Sequence, residues 1–138
     1  LMGVGDPIGI LRAVQLGVDM FDCVAPTRQA RHGTIWTMAG VVRIRSSHYR
    51  LDSQPLEEGC PCPACARYPR SYLHHLLRVG EPTAVSLLSL HNLWFMMRLV
   101  NEIRDHILAG EHGRLSALGE YLEDCYGDRR PDRPTASL

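Results

Sequence analysis

Lysine is absent from this chain: all 15 basic residues are arginine, and 15 acidic residues bring the formal charge to zero. A G+C-rich coding sequence would explain the bias. It still leaves a chain whose cations are planar forks, suited to phosphate and to stacking on bases. Overall neutrality excludes attraction of polyanions by bulk charge, but acid is itself missing from one stretch. Between Cys23 and Leu51 there is no Asp or Glu, while Arg28, Arg31, His32, Arg43, Arg45, His48 and Arg50 all lie there. Such a stretch reads either as a solvated Arg-rich hairpin or as a local nucleic-acid face. No apolar run approaches the ~18 residues of a membrane span. No signal peptide precedes the domain, so the expectation is a cytoplasmic protein without a membrane partner. At 138 residues and 45% apolar content there is room for one modest globular domain.

Cysteine is scarce but clustered. Three of the five form the run Cys60-Pro61-Cys62-Pro63-Ala64-Cys65, and His91 follows 26 residues later. Thiolates and an imidazole are the donors of tetrahedral Zn²⁺, and four protein ligands leave no open position, so one structural ion is expected to staple the fold. A disulfide would need an oxidising compartment. The odd count suits a reduced cytosol with two spare thiols, Cys23 and Cys125, read as small buried hydrophobes. On sequence distance alone His74, His75 and His106 are rival fourth ligands.

Along the chain, Leu1 to Gly5 reads as a strand end entering a Gly loop. Asp6-Pro7 opens a short helix with Ile10, Leu11, Val14 and Leu16 on its apolar face, ended by Gly17. Val18 to Val24 reads as a short buried strand. Strand, loop, helix, strand is a βα unit of a parallel sheet, and two strands cannot close such a sheet. Pro26 to Gly33 is expected as a loop, and the segments 34–38 and 41–45 as a β-hairpin. Residues 51–65 are aperiodic and hold the cysteines. Helices are expected over 69–78, over about 83–108 with Val85, Leu88, Trp94, Leu99, Ile103 and Ile107 on its apolar positions, and around Leu115, Leu118, Leu122 and Tyr126. The tail from 128 to 138 is expected to fray.

Chemistry is sought at Asp22, in the apolar run Met20-Phe21-Asp22-Cys23-Val24 just before the Arg-rich stretch. A carboxylate at the C-terminal end of a strand is where barrel enzymes place catalytic groups. The bland reading is a carboxylate paired with Arg28 or Arg31, or capping the next turn. Asp19, on the opposite face of a strand, is the weaker candidate. Gly3 to Pro7 could offer backbone N–H groups to phosphate at a helix start.

Several of these strings, in order, closely resemble the tRNA-guanine transglycosylases, also called queuine tRNA-ribosyltransferases. They are Leu1-Met2-Gly3-Val4-Gly5, Gly17-Val18-Asp19-Met20-Phe21-Asp22-Cys23-Val24, Pro26-Thr27-Arg28-Gln29-Ala30-Arg31-His32-Gly33, the Cys60, Cys62, Cys65 motif with Ser89-Leu90-His91-Asn92, and Ser71-Tyr72-Leu73-His74-His75-Leu76. The resemblance runs from residue 1 to about Gly127. It implies an α/β chain forming the C-terminal part of a (β/α)8 TIM barrel with a zinc-binding subdomain. Residues 1–50 would be the last βα units with the active-site loop and hairpin, and 51–127 the zinc subdomain and closing helices.

The function implied is exchange of the wobble guanine of tRNA anticodons for a 7-deazaguanine base, in queuosine biosynthesis, by double displacement through a covalent aspartyl-ribosyl intermediate. The expected bacterial substrate is 7-aminomethyl-7-deazaguanine. The resemblance makes Asp22 the nucleophile. It makes Gly3, Val4, Gly5, Asp6, Pro7, Ile8 and Gly9 one RNA-binding segment, and Thr27, Arg28, Gln29, Ala30 and Arg31 a second beside the wobble base. Met2, Gly3 and Met20 would wall the base pocket, and Cys60, Cys62, Cys65 and His91 would hold zinc. It also implies a homodimer with the zinc subdomain in its interface, where Tyr68, Tyr72, His75 and Leu87 are the residues expected. The general acid/base would lie outside this chain, which is therefore expected to be inactive alone. The rival readings are a non-catalytic RNA-binding partner subunit and a free-standing zinc-stapled interaction module.

Overall fold

Capping and glycine punctuation set the element boundaries in the computed structural model, which describes residues 1–127. The tail expected to fray lies outside the described residues. Helix α1 (Pro7–Gln15) starts on the Asp6 side chain, which accepts from the Gly9 N–H at 2.8 Å, with Pro7 at the first position, where no N–H is needed. Helix α2 (Ala25–Arg31) leads into an antiparallel hairpin of β1 (Thr34–Thr37) and β2 (Gly40–Arg43), with Ile35 opposite Val42. A 3₁₀ turn over Ser47–Leu51 precedes the cysteine loop and α3 (Pro63–Arg67). Helices α4 (Arg70–Arg78), α5 (Pro82–Leu108) and α6 (His112–Tyr126) complete the described chain.

Two apolar clusters hold these elements together. One gathers Ile35, Ile44, Leu56, Leu73, Leu77, Ala84 and Leu88 with Cys60 and Cys62. The other gathers Ile10, Leu11, Trp36, Phe95, Leu99, Ile103 and the α6 leucines. Strand alternation sends neighbours Ile35 and Trp36 into different clusters. The long α5 serves both, Leu88 in the first and Phe95 in the second. Each fully buried side chain of this size contributes about 1.5–3 kcal/mol. Helix α6 is tied to the hairpin turn by the hydroxyls of Tyr121, donating to the Met38 carbonyl at 2.6 Å, and of Tyr126, donating to that of Thr37. Burial holds the Tyr126 hydroxyl in its neutral, donating form, its pKa well above the usual phenol range.

Asn92 sits where the clusters meet. Fully buried, it accepts from the Trp36 N–H at 3.1 Å and donates to the Pro26 and Thr34 carbonyls at 3.0 and 3.1 Å. One side chain therefore fixes α2 and β1 on α5. Asn92→Ala leaves the buried Trp36 N–H without an acceptor and strips the Pro26 and Thr34 carbonyls of a donor, and should cost about 2 kcal/mol or more. Urea denaturation reads this directly; a loss under about 1 kcal/mol would refute the assignment.

The cysteine loop is closed on α4 by Arg70, which donates to Asp52 at 3.1 Å and to the Leu56 carbonyl at 3.1 Å. The Asp52 carboxyl is held below its usual range, first by the Gln54 N–H and then by Arg70. A depressed folded-state pKa contributes stability that is present above the unfolded value of ~3.9 and lost as pH falls through the folded one. Asp52→Asn should therefore destabilise the chain at neutral pH and converge on the unsubstituted protein below pH ~4. A difference that does not shrink with acidification would show that the charge is not what matters.

Four expectations are corrected. Residues 18–24 form no strand: only a parallel bridge joins Met2 to Asp22, with Gly3 N–H to Asp22 O at 2.9 Å and Asp22 N–H to Leu1 O at 3.1 Å. A parallel strand is stable with neighbours on its edges and cover on its faces, and the described residues supply neither. Residues 26–31, expected as a loop, are helical in α2, because Pro26 suits a first turn and nothing after it breaks the helix before Gly33 at φ +80°. Leu16, Trp94 and Ile107, expected on apolar faces, are exposed, and Leu90, Leu93 and Met97 join Trp94 in an uncovered stripe along α5. Cys23 and Cys125 are half-buried rather than buried. Among the described residues no helix is long and apolar enough to cross a membrane.

Candidate metal centre and active-site cleft

Cys60, Cys62, Cys65 and His91 converge on one point, their ligand atoms within 4.8 Å of one another. The proline-rich loop delivers the thiols: Cys62 caps α3 through its sulfur, which accepts from the Cys65 N–H at 3.4 Å. His91 comes from the middle of α5. Its Nδ1 lies 3.8, 3.4 and 3.3 Å from the sulfurs of Cys60, Cys62 and Cys65. Ligands bound at ~2.0–2.3 Å to one tetrahedral centre stand roughly 3.5–3.8 Å apart, so the set matches a single ion.

The imidazole is also set for the task. Nε2 faces the Trp36 carbonyl at 2.9 Å, and only a protonated Nε2 can donate there. That tautomer leaves the Nδ1 lone pair directed at the thiols, the outer-shell arrangement metal-binding histidines use. The Cys62 thiol is lowered to about 3, first by the Cys65 thiol and then by His91. Cys65 is pushed up chiefly by the same contact with Cys62, and Cys60 chiefly by burial. Three crowded sulfurs thus share protons that a divalent cation would displace. The rival ligands are engaged elsewhere: His74 Nδ1 meets the Ile44 carbonyl at 2.7 Å and His106 meets Glu111 at 3.0 Å. His75 is not among the grouped ligands.

A second site lies at the Met2–Asp22 bridge. A cleft of about 640 Å³ is lined by Met2, Gly3, Asp22, Cys23, Val24, Ala25, Arg28, Gln29 and His32. Segments 1–5 and 20–25 approach so closely that a Cβ on Gly5 would fall 2.5 Å from Cys23 Cβ, which explains the glycine. Asp22 is exposed and has no cation within ion-pair distance among the described residues, so the bland reading of a carboxylate paired with Arg28 or Arg31 does not hold. Nor does it cap α2, whose first turn has no side-chain cap.

The other expected residues divide. Met2, Gly3, Arg28 and Gln29 line the cleft with Asp22. Met20 does not; it is exposed, and its carbonyl accepts from the Leu1 backbone nitrogen at 2.6 Å. Asp6, Ile8 and Gly9 face a separate groove with Arg12 and Tyr126, and Val4 lines a third beside Phe21. Gly5 and Pro7 are buried. Thr27 donates back to the Val24 carbonyl at 3.2 Å, Ala30 is fully buried, and Arg31 is exposed outside the cleft. Sequence reasoning missed His32 as a cleft residue. Its Nδ1 sits 2.7 Å from the Arg28 carbonyl, an i,i+4 contact that only a helical reading of 25–31 would have revealed.

The family model for queuine tRNA-ribosyltransferase matches residues 1–120. Curated queuine tRNA-ribosyltransferases are similar over most of the chain. That of Nitrosomonas eutropha is 53% identical over 111 residues, covering 80% of this chain and 31% of the relative. That of Helicobacter pylori is 53% identical over 123 residues, covering 89% and 33%. That of Helicobacter acinonychis is 51% identical over 130 residues, covering 94% and 34%. The chain thus spans about a third of the length of the relatives it matches. With the family match running from the Asp22 cleft through the Cys3His cluster into α6, the chain belongs to the queuine tRNA-ribosyltransferase family.

Proposed function

We propose that this chain carries the nucleophile and part of the tRNA surface of an enzyme that exchanges the wobble guanine of a tRNA anticodon for a 7-deazaguanine base, 7-aminomethyl-7-deazaguanine in the bacterial setting. The observation that carries the reading is the free Asp22 carboxylate in a cleft shared with Arg28, Gln29 and His32. A carboxylate oxygen of Asp22 attacks ribose C1′, the bond from C1′ to guanine N9 breaks, and guanine leaves from the opposite face. N9 of the incoming base, giving its proton to the group that protonated guanine, then attacks C1′ and displaces the Asp22 carboxylate. Two inversions give net retention, as in retaining glycosidases. The target nucleotide must leave its stack to reach the aspartate. Arg28 is placed to hold phosphate or splayed bases, and Gln29 to hydrogen-bond base edges. The proton needed by departing guanine comes from a group outside this chain. Met2 and Gly3 wall the pocket from the neighbouring segment.

In this reading the metal is Zn²⁺, which soft thiolate ligands favour, and it cross-links the cysteine loop to α5 without touching substrate. The lone parallel bridge and the uncovered α5 stripe support placing the chain in a larger (β/α)8 barrel, where segments 1–5 and 18–24 gain neighbours. Tyr68 and Tyr72, stacked with ring centroids 5.3 Å apart on the α4 flank, offer an aromatic anchor for a homodimer, to which His75 and Leu87 would add. A tRNA substrate implies a cytoplasmic setting. The test seats this chain in place of the matching third of the Helicobacter pylori relative. That chimera should incorporate radiolabelled guanine into a tRNA with a wobble guanine; a folded, metal-loaded chimera with no incorporation would sink the reading.

A further inference from the structure

Outside the Asp22 cleft, unpaired charge gathers in a groove of about 670 Å³ between the 3₁₀ turn and α4, lined by Ser47, Arg50, Leu51, His74, His75 and Arg78. No carboxylate contributes to its lining. Arg50 and Arg78 are exposed, and neither has an acid within ion-pair distance among the described residues. Asp52, the acid nearest in sequence to Arg50, is already engaged by Arg70 at 3.1 Å. Two desolvation-tolerant guanidinium forks over an acid-free groove fit phosphate oxygens better than any neutral ligand.

The groove is also joined to the Asp22 cleft by a string of neighbours. His32 lines that cleft, and its carbonyl accepts from Arg45 Nε at 3.2 Å. The Arg45 stem and Leu77 both crowd Gly33, each with an atom 2.9 Å from where a Cβ would stand. Arg78 follows Leu77 directly. Arg45, itself exposed and without an acid partner among the described residues, thus lies between His32 of the cleft and the Leu77 turn of α4. At ~100° per residue Arg78 lies ~120° around α4 from Tyr72, with His75 midway on the edge that the groove shares with the aromatic pair.

We propose that the Arg50–Arg78 groove, continued by Arg45, is a second docking site for the sugar-phosphate backbone of the same tRNA, beyond the nucleotide presented to Asp22. The inference rests on the tRNA reading above and extends it from base recognition to the path of the strand across α4. It contributes affinity and orientation rather than base choice, because phosphate contacts carry no sequence information.

The test measures binding of the full chain to an unmodified tRNA with a wobble guanine across a salt series. Arg50→Gln with Arg78→Gln should weaken binding roughly tenfold or more near ~0.15 M salt and make the slope of log K against log salt shallower by about 1.5. Arg104→Gln with Arg114→Gln, the same change in net charge at the far end of the fold, should leave both within error. Equal losses in the two pairs, or an unchanged slope in the first, would overturn the second docking site while leaving the tRNA reading intact. Failure of the unsubstituted chain to bind tRNA at all would overturn both.

Discussion

Replacing Asp22 with Asn should lower guanine exchange by roughly 10⁴-fold or more, the usual scale for loss of a nucleophile in a covalent mechanism. The substitution keeps the shape of the side chain. In the proposed mechanism it removes the negative charge that attacks C1′ and that departs again as a carboxylate. Little else should change, because Asp22 makes no ion pair among the described residues and takes part in the Met2 bridge only through its backbone. The readout is therefore double. Incorporation of labelled guanine by the chimera should vanish, and the denaturant-stable protein–tRNA adduct expected of a covalent intermediate should vanish with it. Affinity for tRNA should stay within a few-fold. An Asn form that still exchanges guanine would remove Asp22 from the chemistry. An Asn form that loses tRNA binding to the same degree as exchange would make Asp22 a structural or docking residue instead.

The parts of this chain that could be read in advance are those whose physics is local. Asp6-Pro7 announces α1, the segments 34–38 and 41–45 announce a hairpin about Ala39-Gly40, and helical spacing announces α5 to within a residue or so. The Cys3His cluster was legible because metal ligands come as few residue types at short spacing, although only the fold removes His74 and His106 from contention, by engaging both elsewhere. What failed depends on partners far away in sequence or outside the chain. Val18 to Val24 has the composition of a buried strand, yet nothing among the described residues pairs with it beyond one bridge. Trp94 and Met97 have the spacing of core residues but lie bare. Asn92 could not have been singled out, since its value lies in three bonds to residues 56 to 66 positions away. The Asp22 cleft was half legible: the aspartate stood out as an acid in an apolar run, but His32 and Arg28 share it only because 25–31 is a helix.

Loss of the metal centre is the other change with a large expected effect, and its consequences should be uneven. Cys62→Ser removes the most ionised of the three thiols, the one that also caps α3. Bound metal should fall from about one ion per chain to near zero. The melting temperature should drop by roughly 10 °C or more, since structural zinc contributes many kcal/mol to small domains. The two apolar clusters should not respond alike. The first contains Cys60 and Cys62 and packs α3 and α4 against the start of α5. The second, around Phe95, Leu99 and the α6 leucines, lies along the C-terminal half of α5 and includes no ligand. Hydrogen exchange should therefore accelerate through α3, α4 and the first turns of α5, while amides near Leu99 and Leu122 keep most of their protection. His91→Ala should extend the damage into the hairpin, because it also removes the bond to the Trp36 carbonyl. Unchanged metal content in Cys62→Ser would disprove the ligand assignment. Uniform loss of protection across both clusters would show instead that the metal staples a single cooperative unit.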